Sequence, residues 1–281
     1  MKTCPYCGKE YADDATICPI DRNELTPAPV ESASRADIDW IEQSFRWLLD
    51  EFGEDYFLRH PLILPEASFF PDKYDGTEQS VIALVKRICT YVDVDPGSVE
   101  VELFTENDDL MEKHRLVGEG NHSGGAAGLY ISKASEPRKK IAINCSTLKN
   151  PTRLVATIAH ELGHVILLGG GKISREREDH EYLTDLLTVF LGFGIFTANS
   201  AFMFTQWQDH SRQGWRTSRL GYLSEEMFGY SLAAYAWMRG ETKPGWSKHL
   251  ALNVGHYFKQ SLKHFEKGGQ TSLRRLVPSA R

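Results

Sequence analysis

What this sequence of 281 residues lacks narrows its function sooner than what it contains. Cysteine is scarce. There are five, and three of them crowd at positions 4, 7 and 18, which is no disulfide framework for a chain of this length. A reducing, cytoplasmic setting is the expectation. There is no basic excess either: 32 Lys and Arg stand against 38 Asp and Glu, a net charge of −6, so nucleic acid is not an expected partner. Arg274, Arg275 and Arg281 read as a solvated tail rather than a patch. The opening MKTCPYCGKEY has no apolar leader stretch, so no secretory signal is expected. A phosphate loop is missing too, since the glycine-rich Gly118–Gly128 lacks the G-x-x-x-x-G-K-[ST] pattern.

Only one long uncharged run exists, from Leu186 to Gln208. Its length matches a bilayer, but Thr188, Gly192, Gly194, Thr197, Asn199 and Ser200 interrupt it. No Lys/Arg cluster flanks it to set an orientation. A buried helix is expected there and a membrane span is not.

The remainder is ordinary globular composition, 41% hydrophobic and 25% charged. Residues 1–26 read as a compact unit, 27–35 as a Pro/Ala/Ser-rich linker, and 36–281 as the main domain. Ile38, Ile41, Phe45, Leu48, Leu49 and Phe52 fall at helical spacing, as do Val81, Leu84, Val85, Ile88 and Val92. Val99, Val101 and Leu103 alternate with Glu100, Glu102 and Phe104, a strand with one largely wet face. Two further strands are expected around a Ser-Glu-Pro turn, the second near Lys140–Cys145. Helices follow at about 178–198, 224–240 and 246–266. Cys89 and Cys145 sit among apolar residues and read as buried thiols. The fold class is α+β.

The stretch NPTRLVATIAHELGHVILLGGG, residues 150–171, carries its own start and stop signals: Asn150 as cap, Pro151 in the first helical position, and three glycines at the end. Within it, His160 and His164 stand four residues apart, so their imidazoles lie one above the other on one helix face. Glu161 lies beside the first. Two histidines so placed can bind zinc, and the glutamate can accept the proton of a zinc-bound water. H-E-x-x-H arises by chance in roughly one chain of this length in a hundred. Gly163, a poor helix former inside a helix, implies close packing at that point. A third ligand is needed, and His180, Glu181 and Asp185 are all candidates on the next segment, REREDHEYLTD.

Here a resemblance becomes informative. AHELGH, followed after a short gap by EYLTD, resembles the zincin metallopeptidases of the gluzincin kind. Their third ligand is a glutamate heading an E-x-x-x-D helix, as in CAAX-processing and stress-response peptidases. The soluble ImmA/IrrE-type peptidases have a similar strand–HELGH–helix order. The resemblance covers roughly residues 125–200. It implies a zincin-like domain with zinc on His160, His164 and Glu181, Glu161 as the catalytic base, and Asp185 orienting a histidine ligand. It also implies that the strand around Lys140–Cys145 is the edge that holds an extended substrate. His180 as third ligand would make the site metzincin-like, but Leu167 breaks that motif. No oxyanion stabiliser is identifiable among Tyr222, Tyr230, His210 and His256.

CPYCGKEY and CPIDRNEL are near copies fourteen residues apart. Cys4, Cys7 and Cys18, with Asp21 where a fourth cysteine would stand, can close a structural zinc site resembling the small zinc ribbons of bacterial protein termini. Such a closed site serves docking to a partner or substrate, not chemistry. The expectation is therefore a zinc-dependent peptidase acting on a peptide or protein, with one catalytic and one structural zinc. The alternative is a non-catalytic or regulatory zinc-binding module on the same fold.

Overall fold

The computed structural model describes residues 2–3, 10–12, 15–20, 22, 26–27, 33–105, 108, 127–131, 138–209 and 223–277. At the N-terminus three two-residue strands, β1 (Lys2–Thr3), β2 (Glu10–Tyr11) and β3 (Thr26–Pro27), pair antiparallel in the order β2-β1-β3. Thr26 and Pro27 thus pair with Thr3 and Lys2 in this small sheet, which takes in the first residue of the expected linker. The far end of the expected linker is also structured. Ser34 caps α1 (Arg35–Phe52) in a reciprocal pair with Asp37, so helix formation begins before residue 36.

On α1 the apolar stripe behaves as its spacing requires: Ile41, Phe45 and Leu48 are fully buried, each contributing about 1.5–3 kcal/mol. A short α2 (Glu54–Arg59) follows, then α3 (Glu78–Tyr91), with Val81, Val85 and Ile88 turned inward. Next comes a three-stranded sheet of β4 (Val99–Phe104), β5 (Gly128–Ile131) and β6 (Lys139–Asn144). Its order is β4-β6-β5, with β4 parallel and β5 antiparallel to β6.

This order corrects the expected edge. β6 is the central strand, hydrogen-bonded on both sides, so Lys140–Cys145 cannot accept an added strand. Among the described residues the edges are β4 and β5. The second face of β4 is also less wet than expected. Lys140 bridges Glu100 and Glu102 there, at 3.2 and 3.5 Å, while Phe104 is buried in a small cluster with Ile131 and Ala142. Cys145, in a 3-10 turn after β6, is only half-buried, whereas Cys89 is buried as expected.

The rest is helical: α4 (Pro151–Leu167), α5 (His180–Phe190), α6 (Gly194–Asp209), α7 (Glu225–Met238) and α8 (Leu252–Glu266). The run expected as one helix over 178–198 is two. Gly192 breaks it with φ 86°, and a Cβ there would lie 2.2 Å from the Pro61 carbonyl oxygen. The last helix begins at Leu252, since Gly245–His249 forms a 3-10 turn instead. Among the described residues no helix is long and apolar enough to cross a membrane. α7 is buried on nearly all sides and packs against α8 through Val254, Phe258, Leu262 and Phe265. The molecule is therefore α+β, with eight α-helices described and a single large core joining α1, α3, α4, α5 and α7 to the inner face of the three-stranded sheet.

Candidate metal centre

α4 starts where its sequence signals say: Asn150 accepts a hydrogen bond from the Arg153 amide at 3.1 Å, and Pro151 occupies the first position. From Arg153 to Val165 every residue is buried, so His160, Glu161 and His164 are carried on a helix with no freedom to shift. α5 crosses it. Its start is pinned by Asp179, whose carboxylate binds the Trp40 indole at 2.8 Å and the Arg177 guanidinium. This contact ties the first turn of α5, where Glu181 stands, to α1.

The two helices bring three ligand atoms together. His160 Nε2 lies 3.0 Å and His164 Nε2 3.2 Å from the same oxygen of Glu181, Oε2. All three ligand atoms fall within 4.8 Å of one another. Tetrahedral zinc with bonds of about 2.05 Å separates its ligands by about 3.3 Å, so these spacings suit it. The other ring nitrogens are taken up behind. His160 Nδ1 is 2.8 Å from Asp185 Oδ1, and Thr184 Oγ1 lies 3.2 Å from His164 Nδ1. Asp185 in turn accepts the Leu223 amide at 3.0 Å on its second oxygen. Both imidazoles are thereby fixed with Nε2 facing Glu181, the arrangement by which a carboxylate or hydroxyl orients a metal-ligating histidine.

His180 is not part of the convergence. Its Nε2 faces the other oxygen of Glu181 at 3.2 Å and its Nδ1 lies 2.9 Å from the Arg177 carbonyl, so it steadies Glu181 from outside. Glu181 keeps 30% of its side chain exposed against 7% and 8% for the histidines, so the cluster is reached from the Glu181 side.

Electrostatically the cluster is organised around a positive charge. Burial works against ionisation of Glu181, but His160, His164 and His180 outweigh it and hold its carboxyl well below the usual range. Burial likewise opposes protonation of His160, and Asp185 and Glu181 outweigh it, raising its pKa well above the usual value. His164 is shifted down, chiefly by burial. A donor set of two imidazoles and one carboxylate matches three-protein-ligand zinc sites that keep a position open.

Glu161 is placed differently. Burial pushes its carboxyl up to about 8, and its Oε2 has no hydrogen-bond partner among the described residues. β5 passes so near that a Cβ on Gly128 would lie 2.7 Å from Glu161 Oε1. The carboxyl thus stands between the cluster and the edge strand. Gly163 answers its sequence anomaly: a Cβ there would meet Thr184 Cγ2 at 2.8 Å, displacing the residue that holds His164.

Thr184 and Tyr130 were not foreseen. Thr184 follows Glu181 by three residues, so helical spacing alone places it on the ligand face. Tyr130 stacks on His164 with ring centroids 6.3 Å apart, a contact across the chain that no local pattern signals. Tyr230 is engaged by Glu42 at 2.6 Å and His256 is exposed, so neither meets the cluster. Tyr222 and His210 lie outside the described residues. So do Cys4, Cys7 and Asp21 of the N-terminal candidate site. Cys18 is buried, with the Tyr11 hydroxyl hydrogen-bonded to its sulfur at 3.1 Å.

Compared with protein-family models, with characterised proteins and with solved structures, the chain has no significant match in any of the three.

Proposed function

We propose that this protein is a zinc-dependent peptidase of the zincin kind. The observation that carries the reading is the convergence of His160, His164 and Glu181 within 4.8 Å, with the buried carboxyl of Glu161 alongside, its Oε2 without a partner among the described residues. His160, His164 and Glu181 would hold the metal. Bound there, zinc supplies the acidification of a water and the polarisation of a peptide carbonyl.

The remaining work falls to the chain's own groups. Glu161 takes a proton from the attacking water as its oxygen bonds to the carbonyl carbon. It then gives that proton to the amide nitrogen as the C–N bond breaks. Asp185 and Thr184 keep the imidazoles aimed. β5, an edge strand among the described residues, runs past Glu161 at Gly128, and an extended substrate would pair along it. Retention of Glu161 favours this over a purely structural zinc module, which gains nothing from a buried carboxyl with an unmade hydrogen bond. A structural zinc on Cys4, Cys7, Cys18 and Asp21, docking a partner or substrate, belongs to the same proposal, as does a cytoplasmic setting.

Full-length protein is expected to cleave members of a proteome-derived peptide library. Cleavage should stop when the metal is chelated and return when zinc is restored, with mass spectrometry as the readout. A library left intact by the zinc-loaded protein overturns the reading.

A further inference from the structure

Beside the cluster lies a cavity of about 220 Å³, lined by Tyr130, Leu168, Ile173 and Arg175. Three of these walls are apolar or aromatic. The fourth is an exposed guanidinium. The neighbouring cations of the α4–α5 connection are already committed, Lys172 to Glu51 at 2.6 Å and Arg177 to Asp179 at 2.5 Å. Arg175 has no carboxylate at ion-pairing distance among the described residues; its guanidinium lies 5.9 Å from the centre of the Tyr130 ring. The same ring neighbours His164, so the cation stands one side chain away from the ligand set. Its charge reaches Glu161 and His180. A second group is also short of a partner: the buried Tyr130 hydroxyl makes no hydrogen bond among the described residues.

We propose that this cavity is a specificity subsite for a substrate carboxylate, with Arg175 as the cation that binds it. The proposal rests on the peptidase reading above. An arginine fork pairs with a carboxylate through two parallel hydrogen bonds. The Tyr130 hydroxyl offers a further donor. Position follows from β5. Gly128 abuts Glu161, and Tyr130 is two residues further on, about 6.6 Å along a strand. The carboxylate therefore belongs to a residue within one or two positions of the bond that is cut. An acidic side chain and a free C-terminal carboxylate present the same group, and the experiment separates them.

The test uses full-length, zinc-loaded protein and matched peptides carrying Glu, Gln or Lys at each position flanking a cleaved bond, each as C-terminal acid and C-terminal amide. The expected result is a preference of about tenfold or more in kcat/KM for Glu over Gln at one position. Arg175→Gln should erase that preference, and Arg175→Glu should turn it toward Lys. A preference that follows the terminal acid over the amide, wherever Glu stands, assigns the carboxylate to the chain end instead. Dissociation constants of the same peptides for the Glu161→Gln protein give a second readout without turnover. Equal turnover of Glu and Gln peptides at every position, with no preference for the acid terminus, overturns the subsite while the peptidase reading stands. A Glu preference kept in Arg175→Gln does the same. Peptides that are never cleaved but are bound with the Arg175-dependent preference support the subsite and overturn the peptidase reading. Absence of both cleavage and binding preference overturns both.

Discussion

Glu161→Gln is expected to cut peptide hydrolysis by about 10³-fold or more while zinc content stays at the wild-type value. The two halves of this result come from two geometries. Zinc retention follows because Glu161 is not among the three converging ligands, and the hydrogen bonds the histidines make to Asp185 and Thr184 do not involve it. Loss of turnover follows because a glutamine amide cannot accept and return a proton. Stability adds a diagnostic. A purely structural Glu161 would be costly to lose, yet its Oε2 is buried without a partner and burial raises its pKa to about 8. Removing such a group leaves the fold as stable as before or more so, as expected where a site keeps strain for function. Turnover kinetics, zinc analysis and a melting curve on one preparation check all three. Wild-type turnover in the variant would sink the role given to Glu161.

Glu42→Gln is expected to lower Tm by about 5 °C, from a loss of about 3 kcal/mol. Glu42 sits on the buried face of α1, only 3% exposed, where its apolar neighbours would lead one to expect a leucine. It collects the Tyr230 hydroxyl at 2.6 Å, the Thr271 hydroxyl at 2.7 Å, and the Ser272 amide and hydroxyl at 2.6 and 2.7 Å. One carboxylate thus fastens α7 and the segment after α8 to α1. A glutamine presents donors to this ring of donors and leaves several buried groups unpaired. Burial pushes the Glu42 carboxyl up, and the hydrogen bonds from Tyr230, Ser272 and Thr271 outweigh it and hold it below its ordinary value of 4.5. Its contribution is therefore present in full above the ordinary value and is lost as the pH falls through the folded one. Thermal melts of both proteins should differ widely at pH 7, and the difference should shrink as the pH is lowered below 4.5. A variant melting within 1 °C of wild type at pH 7 would contradict this role.

Much of the candidate centre was legible because its parts lie on two helices with strict spacing. His160, Glu161 and His164 share one helix, and Glu181, Thr184 and Asp185 share the next, so a period of 3.6 residues nearly specifies the face. What spacing cannot give is the partner across the chain. Nothing local tells that Tyr130 stacks on His164, that Trp40 anchors Asp179, or that Glu42 is buried with four donors around it. Sheet order was opaque for the same reason. Alternation of Ile141 and Ile143 with Ala142 and Asn144 marks a strand, but a strand buried on both faces reads alike at the edge and in the middle. The misplaced edge came from the resemblance, and alternation offered no check on it. The break at Gly192 was visible as a glycine, yet its positive φ depends on the Pro61 carbonyl, which only the packing supplies.

Zinc counted per chain by elemental analysis, on the full-length protein and on its His164→Ala and Glu181→Ala variants, tests the central claim most directly. Each variant should carry one zinc fewer than the wild type, whatever the cysteines at the N-terminus hold. Equal zinc in all three proteins would mean that His160, His164 and Glu181 bind no metal, and that the convergence of their side chains is a matter of packing alone.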